Sequence, residues 1–127
     1  MSVSFSARIR AHGDEWAMPV EHLEDLNVCN GNAAHLLGLL ELRDASTERE
    51  HDAELTGEVP ATEFAERVAL AEALDLAGAR PGFTDGRWHE VGTSARYFQA
   101  RLRDLSELAR AARALTGDAG EGVVSWG

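Results

Sequence analysis

Three asparagines, a glycine, a histidine and the sole cysteine fall close together in LNVCNGNAAHLL, which runs from Leu26 to Leu37. The side-chain amides of Asn27, Asn30 and Asn32 each carry a carbonyl acceptor and an NH2 donor, groups that orient a polar ligand. His35 adds a group able to take up or release a proton near neutral pH. The leucine run that follows has helical spacing, with Ala33, Leu36, Leu37 and Leu40 at steps of three and four. Asn32 is therefore placed as the N-cap of a helix, its side-chain oxygen accepting a backbone N–H that the first turn leaves unpaired. Gly31 supplies the freedom to turn out of a preceding strand. Such a corner also points free N–H groups and the positive end of the helix dipole outward, where anions and polar ligands bind. Two readings stay open: caps and turns satisfied internally, or contact with a ligand or partner. One asparagine suffices for a cap, and three invite the second reading.

The remaining chemistry-bearing groups are weaker candidates. His51 and Asp52 stand among Glu48, Glu50 and Glu54, but no two histidines have the i, i+4 spacing that sets two imidazoles on one helical face. That cluster reads as solvated charge, and neither a metal nor a cofactor is expected. Arg87, His89 and Glu90 suggest an acid–base pair on paper, yet successive strand residues point to opposite faces. Cys29 has no second cysteine with which to form a disulfide or share a structural zinc. Without a paired nucleophile and base or a glycine-rich phosphate loop, the chain reads as a binder rather than an enzyme.

The elements that must position these residues follow from periodicity. Val3, Phe5, Ala7 and Ile9 alternate with Ser2, Ser4, Ser6, Arg8 and Arg10, a strand with one buried and one wet face. Residues 11–24 hold Gly13 and Pro19 and form an irregular crossing, with Trp16, Met18 and Val20 offered to the core. Leu26 to Cys29 is a short strand leading into the asparagine corner. Residues 41–60 form an exposed, charged connection with a short strand expected between Ala53 and Val59. A helix is expected from Thr62, its cap, to Leu76, with Glu63 and Glu66 in the first turn and Gly78 beyond its end. Its buried stripe is Phe64, Val68, Ala71 and Leu74. Asp85-Gly86 marks a hairpin. The longest helix starts at Thr93 or Ser94, ends near Thr116 and buries Phe98, Leu102, Leu105, Leu108, Ala109, Ala112 and Leu115. Arginines 96, 101, 103, 110 and 113 lie largely off that stripe. Val123 to Gly127 is an apolar terminus, expected to pair with the first strand.

Composition bounds the class of function. A chain of 127 residues fits one domain, and 44% hydrophobic against 27% charged residues is enough apolar content to fold. The net charge is −10, and every basic residue is arginine. Residues 1–79 hold 16 acids against 5 arginines, whereas residues 80–127 hold 6 acids against 7. Direct nucleic-acid binding is not expected, since that affinity comes from basic groups that displace counterions from phosphates. The acidic part reads chiefly as a solvated surface, with mimicry of a nucleic-acid backbone as the minor alternative. No apolar run approaches the roughly 20 residues needed to cross a bilayer, and the start MSVSFSARIR lacks the pattern of a secretory signal. The expected location is the cytoplasm, without a membrane partner.

The Asn30-Gly31-Asn32-Ala33 turn opening a leucine helix, the long arginine-rich helix, and the closing Val123-Val124-x-Trp126-Gly127 together form a pattern. In these features the chain resembles small uncharacterised proteins of high-GC bacteria and their phages that carry an N-x-N-A-x-x-L-L segment and end in a tryptophan-glycine strand. The resemblance covers most of the chain loosely. It implies a self-contained domain in which the asparagine turn matters, and carries no activity, cofactor or catalytic residue. Cys29 stands where a small polar residue is expected, which speaks against a role for the thiol.

These readings converge on an α+β domain spanning residues 1–127. About three helices pack on a short mixed sheet whose N- and C-terminal strands pair. The expected function is a non-catalytic binding or protein-interaction module, of accessory or immunity type, using Asn27, Asn30, Gly31, Asn32 and His35 with the adjacent acidic surface. Its partner would be a protein or a small polar ligand. The alternative is a small-molecule enzyme or sensor in which the asparagines orient a ligand and His35 acts as acid or base.

Overall fold

The computed structural model describes residues 2–20, 23–42, 56–85, 88–90 and 92–127. Ten elements follow in the order β1 (Ser2–Ala11), β2 (Met18–Pro19), β3 (Leu26–Cys29), α1 (Asn30–Leu39), β4 (Gly57–Pro60), α2 (Ala61–Ala73), β5 (Phe83–Asp85), β6 (Trp88–Glu90), α3 (Ala95–Ala114) and β7 (Gly120–Trp126). The class is α+β, as the periodicities predict.

The serine–apolar alternation of the N-terminus becomes the central strand. One edge of β1 pairs with β7 over seven residues, from Phe5 opposite Trp126 to Ala11 opposite Gly120. Ser4 and Gly127 extend this ladder by exchanging backbone hydrogen bonds of 2.9 and 3.2 Å. The other edge of β1 is shared between β3 at its start and β2 near its end, while β4 pairs with the far edge of β7. Every one of these pairings is antiparallel, which corrects the expected mixed sheet. Strand follows strand here by reversals of direction, and no two neighbours run the same way. Phe83–Asp85 and Trp88–Glu90 form the expected hairpin around Asp85, as a separate two-stranded ribbon.

The three helices cover one face of the larger sheet, α3 against β1 and β7, α2 against α3 and β4, and α1 against β1 and β3. Val3, Phe5 and Ala7 point into this layer with Val124 and Trp126, and meet Leu36 and Leu37 of α1, Phe64 and Val68 of α2, and the α3 stripe. Three rings from three elements form its centre. Phe5, Phe64 and Trp126 lie with centroids 6.2 to 6.4 Å apart, within the range of favourable tilted aromatic contacts. Gly57 lies so close beneath the Trp126 indole that any side chain there would strike the ring.

Helix ends differ from expectation in informative ways. The cap of α2 is Pro60 rather than Thr62, so the helix follows β4 directly, and no side chain caps it. The helix stops at Ala73 because Asp75 adopts a left-handed backbone, φ 50°, with its N–H bonded to the Glu72 carbonyl and the Leu76 N–H to that of Ala71. Gly78 is not needed for the stop, and Leu74, expected in the core, sits at the cap 59% exposed. Trp16 and Met18 are also outside, 76% and 61% exposed, because they belong to a strap and edge strand that the helices do not cover. The last helix behaves as its stripe predicts, with Ser94 as N-cap accepting the Tyr97 N–H and only Leu115 of the expected core set half-exposed. Of the strand expected at Ala53–Val59, the described part is Thr56, outside any strand, and Gly57 to Val59, within β4; the His51 cluster lies outside the described residues.

Gly122 sets the closeness of α3 to the sheet. It faces the helix, and a Cβ there would overlap the Ala112 carbonyl oxygen. Its N–H lies beyond the end of β4, whose last pairing is Pro60 with Val123, and Thr116 Oγ1 accepts it at 2.9 Å instead. Gly122→Ala should therefore cost about 1–3 kcal/mol or more, the usual range for forced overpacking. Urea denaturation measures this, and an unchanged midpoint would show that α3 does not bear on the strand at this point.

Candidate functional site

The asparagine corner is a strand-to-helix junction, but its side chains are used differently from the expected pattern. Helix α1 begins at Asn30, its N-cap is Cys29, and no side chain caps it. Asn32 is thus inside the first turn rather than in front of it. Its side chain turns inward, 8% exposed, and Oδ1 accepts two hydrogen bonds, from Arg80 Nε at 3.0 Å and Thr93 Oγ1 at 2.9 Å. Two donors fill the two lone pairs of that oxygen. Arg80 and Thr93 are themselves joined by a reciprocal backbone bridge, 2.8 Å each way. The amide therefore ties α1 to the segment that delivers α3.

His35, one turn further, also faces protein. Its Nε2 lies 3.2 Å from the Gly78 carbonyl oxygen, so this nitrogen carries the proton in that bond. The ring packs on Phe98 with centroids 4.3 Å apart. The imidazole thereby pins the loop after α2 against α1 and α3. At the other end of α1, Arg67 donates to the Leu40 and Glu41 carbonyls and pairs with Glu63. A guanidinium there meets the negative end of the helix dipole.

Asn30 and Gly31 are exposed in the first turn of α1. Asn27 goes elsewhere. It stands opposite Ser4 on β3 and accepts that serine's hydroxyl at 2.5 Å, which puts it on the sheet face away from the helices. The three amides do not converge: Asn32 is inside with His35, Asn27 is on the opposite face of the sheet, and Asn30 lies on the surface between.

The outer face gathers polar groups that the sequence did not bring together. Directly opposed residues share a face, so Asn27, Ser4 and Gly127 form one row, Ser6, Ser125 and Glu58 the next, and Arg8, Val123 and Pro60 a third. A groove of about 360 Å3 runs over this face. Its floor includes Ser4, Ser6, Arg8 and Ser125, and its walls include Trp16, Asp25, Thr56 and Glu58. Arg10 reaches diagonally over Val123 to pair with Glu58, and Val123 is buried although it lies on this outer side. Arginine stems cover apolar surface in this way. The only hint in the sequence was the wet half of the first strand, Ser2 to Arg10, since the other lining residues come from three distant segments.

Among the described residues no three histidine, cysteine or carboxylate side chains are grouped to hold a metal, and no helix is long and apolar enough to cross a membrane. Protein-family models, curated proteins and solved structures give no match to this chain.

Removing the buried amide should separate structural from surface asparagines. Asn32→Ala leaves Arg80 Nε and Thr93 Oγ1 without their shared acceptor and should cost about 1–3 kcal/mol. Asn30→Ala should stay within about 0.5 kcal/mol of wild type. Thermal and urea melting of the two variants checks this, and equal losses would contradict the division.

Proposed function

We propose that this chain is a non-catalytic binding module that receives a small polar ligand on the open face of its sheet, with Asn27 holding the Ser4 hydroxyl of its floor. The observation that carries this reading is the groove floored by Ser4, Ser6, Arg8 and Ser125 beneath an exposed tryptophan. Pockets of a few hundred Å3 with an aromatic wall and a few placed polar groups are the usual form of small-molecule sites. The floor consists of strands fixed by the β1–β7 ladder, so its groups are held in place before a ligand arrives. Asn27 retains a role through Ser4, whose hydroxyl it orients.

The asparagine corner as a whole finds less support as the recognition surface, because Asn32 and His35 spend their hydrogen-bonding groups internally. The same bonds weigh against His35 as an acid or base. Its proton-bearing nitrogen is held by a backbone carbonyl, and its ring rests on Phe98.

Ser125→Arg places a long side chain in the groove from an exposed-face position half-open to solvent. Its melting should stay close to wild type, while small molecules retained by the purified wild-type protein, detected by mass spectrometry after denaturation, should be lost. Retention by Ser125→Arg together with loss on Asn30→Ala would move the site back to the helix corner.

A further inference from the structure

We infer that the outer-face groove takes an uncharged saccharide, one face of a sugar ring lying on Trp16 and its hydroxyls meeting the strand floor. This rests on reading the groove as the binding site and names what would occupy it.

The groove is two-sided in its chemistry. Trp16 is the most exposed of the large apolar side chains among the described residues, at 76%, and it stands at the wall of a cavity lined by Trp126 and Ala17 as well as by the hydroxyls of Ser4, Ser6, Thr56 and Ser125. A flat aromatic surface left open to water gains by covering itself. A pyranose ring has the matching division, with a face of C–H groups and an edge of hydroxyls. An aliphatic ligand would satisfy the indole and leave the floor dry, and a fully polar one would do the reverse.

The floor presents hydroxyls in a lattice set by the sheet. Ser6 and Ser125 are directly opposed on neighbouring strands as a hydrogen-bonded pair, whose Cα atoms lie about 5.5 Å apart. Two hydroxyls so placed can meet two different hydroxyls of one pyranose ring. Ser4 and Thr56 extend the same lining. A serine or threonine hydroxyl both donates and accepts, as a sugar hydroxyl does, so either partner can adapt to the other.

Arg8 supplies the directional group. Its side chain lines the groove, and its Nε has no hydrogen-bond partner among the described residues. The planar fork of a guanidinium suits two adjacent oxygens. Asp25 on the wall is the complementary acceptor.

Charge selects against ionised ligands. Glu58 is paired with Arg10, which leaves one positive side chain, Arg8, and one negative, Asp25, among the described lining residues. These cancel, so an anion or a cation would each meet one opposite and one like charge and gain no net attraction to offset its lost hydration.

The test titrates the full chain, with isotope-labelled amides followed by NMR, against neutral mono- and disaccharides of hexoses and pentoses. Glucuronate, glucosamine, free amino acids and tripeptides serve as the contrasting probes. At least one neutral saccharide should shift the Ser6, Ser125 and Trp16 indole resonances saturably. Trp16→Ala should weaken that binding at least tenfold without lowering the melting temperature, and Trp16→Phe should recover part of it. If amino acids, tripeptides or charged sugars shift those resonances and neutral sugars do not, the saccharide assignment fails while the groove stands as the site. Saccharide shifts confined to other parts of the molecule, or none from any probe, overturn both.

Discussion

The antiparallel pairing of the first and last strands is the constraint from which the rest of the molecule hangs. Among the described residues, β2 and β3 pair within the sheet only with β1, and β4 only with β7. Helix α3 rests on β7 at Gly122, and the aromatic cluster of Phe5, Phe64 and Trp126 joins both strands to α2. Closing a contact between the two ends of the chain carries a large entropic cost. The pairing offsets it by burying Phe5, Val124 and Trp126 in the same step.

One consequence is a division of labour between the two faces of β1. The strand's period of two sends Val3, Phe5 and Ala7 to the helices and Ser4, Ser6 and Arg8 to the groove. The residues that stabilise the ladder therefore fix the position of the residues that line the proposed site. A second consequence lies on the helical side, where Asn32, Arg80 and Thr93 secure α1 to the start of α3. His35 and Arg67 secure the two loops nearby. This polar tier ties the helices and their flanking loops to one another.

The elements were legible wherever one face was consistently apolar. The serine alternation announced β1, the seven-residue stripe announced α3, and the apolar terminus announced a strand beside the first, because burial acts on those patterns directly. Caps and edges were less legible. Asn32 has the chemistry of an N-cap, but the helix starts two residues earlier and a distant arginine and threonine claim its oxygen. Leu74 continues the α2 stripe in spacing, yet the left-handed Asp75 ends the helix just before it can pack. Trp16 has core chemistry but sits on a strap that crosses the wrong side. Of the groove only the wet half of β1 was legible, since its floor exists only once the register sets Ser6 opposite Ser125 and Ser125 opposite Glu58.

Native-state amide hydrogen exchange tests the primacy of the β1–β7 ladder most directly. Counting from the mutual Ser4–Gly127 bonds, the alternation of an antiparallel ladder makes Ser6 with Ser125, and Arg8 with Val123, the hydrogen-bonded pairs. If the ladder holds the fold together, these four amides exchange only through global unfolding, with a free energy equal to that from urea denaturation. Exchange of the four through a cheaper local opening, while the amides of α2 and α3 stay protected to the global limit, would show that the helices stand without the ladder and contradict its central place.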